Sequence, residues 1–237
     1  MVRAVSHVVA LHGFAGTGRM WDVVDSAYIA PDLPGHGSAR DLPATWVECV
    51  EQVLRVAPPR FTLAGYSMGG RISLYVALAV PEQVERLVLI AASAGIDDPA
   101  ERERRQAADD MLAAGIEEEG IEAFADLWIE QPLFADDPPE AKRLQREDIL
   151  RNEPAGLAAA LRGLGAGTME PLWHQLDKLP MPVTVLAGER DAKYRALAGR
   201  ITSGLRGEVE MVVVPGVGHG IPREAPRAVA GAISRAA

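Results

Sequence analysis

A single cysteine, Cys49, occurs in 237 residues. No internal disulfide can form, cysteine-rich metal sites are excluded, and Cys49 itself reads as a small buried filler. No stretch approaches the roughly 20 apolar residues of a membrane-spanning helix, so no membrane insertion is expected. The apolar run at residues 8–11 is too short for a signal-peptide core and no small-residue cleavage site follows it, which makes the cytoplasm the expected location. Basic residues are in deficit: 24 Lys and Arg stand against 33 Asp and Glu, a net charge of −9. That balance argues against nucleic acid or an anionic membrane surface as the main partner. An anionic small molecule would have to be caught by a local cluster of arginines. No internal repeat or low-complexity tract is evident, and the acidic run at residues 117–119 reads as a solvated helix face or loop.

What is present suffices for a full core, since 48% of the side chains are hydrophobic and a chain of this length is often one domain. Short apolar or β-branched runs bounded by turn residues recur at 5–11, 27–30, 61–64, 87–91, 183–187 and 210–214, the pattern of buried parallel strands. Helical stretches at 46–56, 68–80 and 225–235 lie between or after them, so the fold class is α/β, with βαβ units around a mostly parallel sheet. The alternation breaks once. From Ser93 to about Leu179 there are only charged, Ala-rich helical segments punctuated at Gly115, Gly120, Pro132, Pro138, Pro139 and Pro154. The expectation is one domain over residues 1–237 carrying a helical lid at about 93–179.

The segment Gly65-Tyr66-Ser67-Met68-Gly69 falls between a predicted strand and a predicted helix, the context that a nucleophile elbow requires. Glycines two residues either side of the serine let the turn close, so the hydroxyl projects beside the positive end of the helix. A serine hydroxyl is weak alone and needs a histidine oriented by a carboxylate, in the chain order serine, acid, histidine. Of the five histidines only His219, in the Gly-rich loop Pro215-Gly216-Val217-Gly218-His219-Gly220, follows both Ser67 and an acid placed after a strand. Asp191, just past the strand at 183–187, is the expected acid; Glu189 is the nearby rival, and Asp177 comes too early. Leu11-His12-Gly13-Phe14 follows the first clear strand, so the backbone amides of Phe14 and Met68 are the expected oxyanion hole. His12, Asp32 and His36 are expected to fix loops rather than to act in chemistry. No metal or other cofactor is expected, because a zinc site needs three or four convergent ligands.

With these residues in place the chain resembles the α/β-hydrolase superfamily over nearly its whole length. Leu11-His12-Gly13-Phe14-Ala15-Gly16, Gly65 to Arg71, Gly163 to Thr168 and Gly188-Glu189-Arg190-Asp191 are together similar to the menaquinone-pathway 2-succinyl-6-hydroxy-2,4-cyclohexadiene-1-carboxylate synthases. That resemblance implies a Ser-His-Asp triad used for proton abstraction and pyruvate elimination from a polycarboxylated cyclohexene, not for hydrolysis. It also implies substrate-binding roles for Arg71, for Arg105 before Gln106, for Trp128, and for Arg151, with Arg146 as the rival to Arg151. Three guanidiniums could hold several carboxylates through charge-assisted bidentate bonds, and Arg71 sits one helical turn from Ser67 on the same face. Tyr66 and Trp128 would line the pocket, with ordinary core packing as the alternative. The same triad could instead serve a carboxylesterase or a carbon–carbon hydrolase acting through an acyl-enzyme, and a non-catalytic binding module is a third reading. Monomer and homo-oligomer are both compatible with the sequence.

Overall fold

The computed structural model describes residues 7–25 and 27–234. Five strands, β1 (Val8–Leu11), β2 (Phe61–Tyr66), β3 (Val84–Ile90), β4 (Val183–Gly188) and β5 (Val209–Val214), pair in chain order. All four pairings are parallel. The α-helices among the described residues are α1 (Trp46–Val56), α2 (Met68–Ala79), α3 (Pro99–Glu119), α4 (Ile121–Trp128), α5 (Pro139–Ile149), α6 (Pro154–Leu164), α7 (Ala192–Gly204), α8 (Ile221–Glu224) and α9 (Pro226–Ser234).

The strands read as nearly continuous apolar runs because both faces of the sheet are covered. Successive side chains point to opposite faces, which splits the core in two. Val9, Leu11, Leu63, Leu89 and Val185 meet α1, α2 and α7 on one side. Val8, Ala10, Ala64, Ile90 and Leu186 meet Trp21 and α9 on the other. Cys49 is buried in the first of these layers.

Two boundaries differ from expectation. The run at 27–30 forms no strand: Ile29 makes one parallel bridge to Val9, and the ladder then stops at Pro31, which has no N–H to give. Gly115 does not interrupt the chain but lies inside the 21-residue helix α3. A Cβ there would meet nothing within 4 Å, so the position costs only glycine's lower helix propensity, about 1 kcal/mol. Residues 5, 6 and 235, at the ends of two expected elements, lie outside the described residues. Between β3 and β4 the chain runs through α3, α4, α5 and α6 without a strand. These helices share a core of their own, in which Ile116, Phe124, Ile149, Leu157 and Leu161 pack over Ala15 from the loop after β1. Glu117, Glu118 and Glu119 are exposed at the end of α3. No helix among the described residues is long and apolar enough to cross a membrane.

Candidate active site

Ser67 lies between β2 and α2 with φ +52° and ψ −109°, a conformation that a side-chain-bearing residue holds only when its surroundings enforce it. The flanking glycines supply that enforcement. A Cβ on Gly65 would sit 2.2 Å from Ser73 Oγ, and one on Gly69 would sit 2.3 Å from the carbonyl oxygen of Leu11. The turn can close only without them, and it lifts the hydroxyl to the sheet edge at the N-terminus of α2.

His219 comes from the loop after β5 and is buried. Its Nδ1 lies 2.7 Å from Asp191 Oδ2 and its Nε2 lies 3.2 Å from Ser67 Oγ. With Nδ1 donating to the carboxylate, Nε2 is left to accept the serine proton. Asp191 does two things at once: its other oxygen, Oδ1, accepts the Tyr194 amide at 3.1 Å and so caps α7. The imidazole is packed between the rings of Tyr194 (centroids 4.4 Å apart), Tyr66 (5.5 Å) and Phe134 (5.8 Å). Glu189 points elsewhere and accepts the Gly216 amide at 2.7 Å, while Asp177 pairs with Arg206.

Above Ser67 opens a cavity of about 320 Å³, with Phe14, Tyr66 and Met68 among its lining from the sheet side and Arg105, Trp128 and Phe134 from the inserted segment. Tyr66 and Trp128 therefore both face the cavity, and burial drives the Tyr66 phenol far above its ordinary pKa. Trp128 packs on Phe14 at 5.4 Å between ring centroids. Met68 opens α2, and the first amides of a helix have no intrahelical acceptor.

The charged lining is one-sided. Arg71, Arg105, Lys193 and Arg223 contribute cations, against the carboxylate of Asp109. Arg71 is 8% exposed; its guanidinium donates to the Leu164 carbonyl at 2.8 Å and lies 5.5 Å from the Trp46 ring centroid. None of the ion pairs among the described residues engages it, and burial pulls its pKa down to about 10. Arg105 is held by Asp109 at 2.9 Å, and burial raises the carboxyl pKa of Asp109.

The structure does not bring the expected third arginine into this cavity. Arg151 is exposed and borders a smaller cavity of about 160 Å³ with Arg19 and Glu147, and Arg146 is taken by Asp126 at 2.6 Å. The face of α5 that looks into the main cavity carries Gln145 and Ile149, four residues apart on one stripe, so 146 points away from it, and 151 lies beyond the end of α5. Arg223, two residues into α8, occupies the cavity wall instead, with Nη2 3.0 Å from Asp148 Oδ2. Lys193 and Tyr194 also line the cavity. The sequence signal for all three is adjacency: they lie within four residues of Asp191 or His219.

The loop residues hold the floor. His12 Nε2 accepts the Leu33 amide at 2.8 Å and His36 Nε2 accepts the Ala15 amide at 3.2 Å. Asp32 accepts the amides of Gly18 and Ser38, both at 2.8 Å. Burial pulls the His12 pKa down, and it lowers that of His36 to about 3, so both rings stay neutral and act as fixed acceptors.

A family model described as alpha/beta hydrolase family matches residues 8–232. The chain is 34% identical, over 93% of its length, to 86% of a putative 2-succinyl-6-hydroxy-2,4-cyclohexadiene-1-carboxylate synthase of Bacillus subtilis (strain 168). It is 28% identical over 91% of its length to the chloroplastic protein PHYLLO of Arabidopsis thaliana, of which it spans only 14%. Among solved structures, MenH from S. aureus superposes with a TM-score of 0.87 at 30% identity, covering 97% of this chain and 92% of that one. A malate-bound thermophilic esterase from Thermogutta terrifontis reaches 0.79 at 27% identity, covering 96% and 88%.

Proposed function

The chain belongs to the alpha/beta hydrolase family, and on that premise we propose that it is a carbon–oxygen lyase. It eliminates pyruvate from a polycarboxylated cyclohexene and leaves a 2-succinyl-6-hydroxycyclohexadiene-carboxylate. The observation that carries this reading is the buried Arg71, without a carboxylate partner, in a cavity wall that also presents Arg105, Lys193 and Arg223. A desolvated guanidinium is costly unless an anion arrives to meet it. A neutral ester would leave that cost in place, whereas a substrate with several carboxylates removes it.

In this reading His219 takes the Ser67 proton as the serine oxygen removes a ring proton. The electron pair of that C–H bond becomes the new ring double bond. The carbon–oxygen bond to the side chain breaks, and pyruvate departs as its enolate, to be protonated after release. The Phe14 and Met68 amides stabilise oxyanion charge as it develops. Arg71, Arg105 and Arg223 hold the carboxylates, so binding energy from groups remote from the broken bond is drawn on in the transition state.

A carboxylesterase reading draws on the likeness to the T. terrifontis esterase, and one experiment separates the two. Arg71→Ala and Arg105→Ala are assayed for pyruvate release from the enolpyruvyl substrate and for hydrolysis of a neutral aryl ester. Losing a charged hydrogen bond is worth ~1.5–3 kcal/mol, so kcat/KM for the polycarboxylate should fall roughly 10- to 100-fold while the ester feels little. Equal losses on both substrates would mean that the arginines are structural. Rapid ester turnover with no pyruvate from the wild type would establish the esterase instead.

A further inference from the structure

The loop that carries Phe14 is held from above by the inserted helices. Ala15, the next residue, has φ +60°, which an L side chain adopts only under constraint. Its amide donates to His36, and its carbonyl oxygen accepts from Asn152 Nδ2 at 3.0 Å. Two residues on, the Thr17 amide donates to Asp148 Oδ2 at 3.1 Å and the Thr17 hydroxyl donates to the other oxygen of Asp148. Asn152 Oδ1 also accepts the Gly37 amide at 2.9 Å, which ties in the loop after Asp32. Asp148 lies in the last turn of α5 and Asn152 just beyond it. They are 5% and 4% exposed, yet neither lines the cavity above Ser67. Asp148 Oδ2 also meets Arg223 Nη2 at 3.0 Å, but the contacts of Asp148 with Thr17 and of Asn152 with Ala15 and Gly37 go to backbone and loops rather than to the cavity. Those contacts act on geometry and not on substrate.

We propose that Asp148 and Asn152 are positioning residues that aim the Phe14 amide at the reacting oxygen, which makes the inserted helices part of the oxyanion hole as well as its cover. The inference rests on the reading of Ser67 as the reactive hydroxyl and Phe14 as an oxyanion donor, and it does not depend on which substrate is turned over. Without these anchors the left-handed turn at Ala15 relaxes and the neighbouring peptide units swing. Complete loss of one oxyanion donor costs about 10²–10³ in kcat, so a donor held off its aim should cost about 10- to 100-fold.

The test uses a small alkyl fluorophosphonate. The Ser67 oxygen forms a bond to phosphorus, fluoride leaves with the electrons of the P–F bond, the hydroxyl proton passes to His219, and the phosphoryl oxygen sits where an oxyanion would. Asn152→Ala and Thr17→Val should each slow labelling of Ser67 by about 10- to 100-fold. Hydrolysis of a neutral aryl ester should lose kcat by the same factor, with KM within about threefold. Thr17→Val removes one donor and keeps the side-chain volume, so it serves if Asn152→Ala does not fold. Labelling at the wild-type rate in a folded variant, or a change confined to KM, would overturn the proposal. Absence of labelling in the wild type would remove the serine reading beneath it. Absence of pyruvate elimination, with labelling intact, would strike only the lyase reading.

Discussion

Asp191 shows how much one side chain can be asked to do. Its Oδ2 orients His219 while its Oδ1 caps α7, and the two duties can be separated by substitution. In Asp191→Asn the cap survives, because asparagine is as good at that position as aspartate. The imidazole, however, is offered the wrong tautomer. Turnover should fall on the order of 10⁴-fold, the scale seen in triad enzymes generally, with the melting temperature nearly unchanged. Asp191→Ala should lose activity similarly and about 1 kcal/mol of stability besides, the usual worth of a cap. Paired kinetic and thermal-unfolding measurements distinguish the two. If Glu189→Gln proved the more damaging change, Asp191 would not be the acid. Ser67→Ala, tested the same way, should abolish turnover and leave the fold standing.

At the scale of elements, the inserted segment meets the His219 loop through a pair of carboxyl groups. Asp137, in the segment between α4 and α5, has its carboxyl group beside that of Glu224 of α8, both next to Gly218 and Gly220. Glu224 in turn accepts the Gly218 amide at 2.9 Å and pairs with Arg190 at 2.6 Å. Burial, then the proximity of Glu224, pushes the Asp137 pKa up to about 7. A carboxyl that is harder to ionise in the folded state than in the unfolded chain favours folding most when both forms are protonated. That contribution is lost as the pH climbs from the ordinary value of 3.8 through about 7. Asp137→Asn keeps a donor toward Glu224 at every pH. The variant should therefore melt higher than the wild type at pH 8 and show no such advantage at pH 4. A constant difference across that range would mean that Asp137 does not share a proton with Glu224.

For the whole molecule, the opposite sign belongs to the two buried histidines beneath the Phe14 loop. His36 is held near a pKa of 3 against an ordinary 6.5, and His12 is shifted the same way. The unfolded chain takes up protons that the folded one refuses, so this stability is complete above about 6.5 and drains away as the pH falls toward 3. Melting temperature should drop between pH 7 and pH 4. His36→Gln should lower it at pH 7, by disturbing the Ala15 amide bond, yet flatten its slope with acid. An unaltered slope would mean that His36 is not among the groups that drive acid unfolding.

Local rules carried the reading a long way. Strand and helix runs in β2, α1, α2 and β4 depend on periodicity and turn residues that sit next to one another in the chain. The serine turn depends on Gly65 and Gly69, where a Cβ would clash with Ser73 and Gly69 in the following helix or with the end of the first strand. The order of Ser67, Asp191 and His219 follows from where loops must leave a parallel sheet. What could not be read locally was which face of an inserted helix would look inward. Arg151 was implied by a family resemblance, but the α5 residues in the cavity wall are Gln145 and Ile149, Ile149 belongs to the core that the inserted helices share, and Arg151, beyond the end of α5, is exposed, which leaves the wall to Arg223. The run at 27–30 had a strand's composition, and a neighbouring proline and loop geometry allowed it only one bridge. The anchoring of the Phe14 loop by Asp148 and Asn152 spans more than 130 residues of chain. No pattern of neighbours encodes such a pairing, because it exists only once two elements, each stable for its own reasons, have been brought face to face.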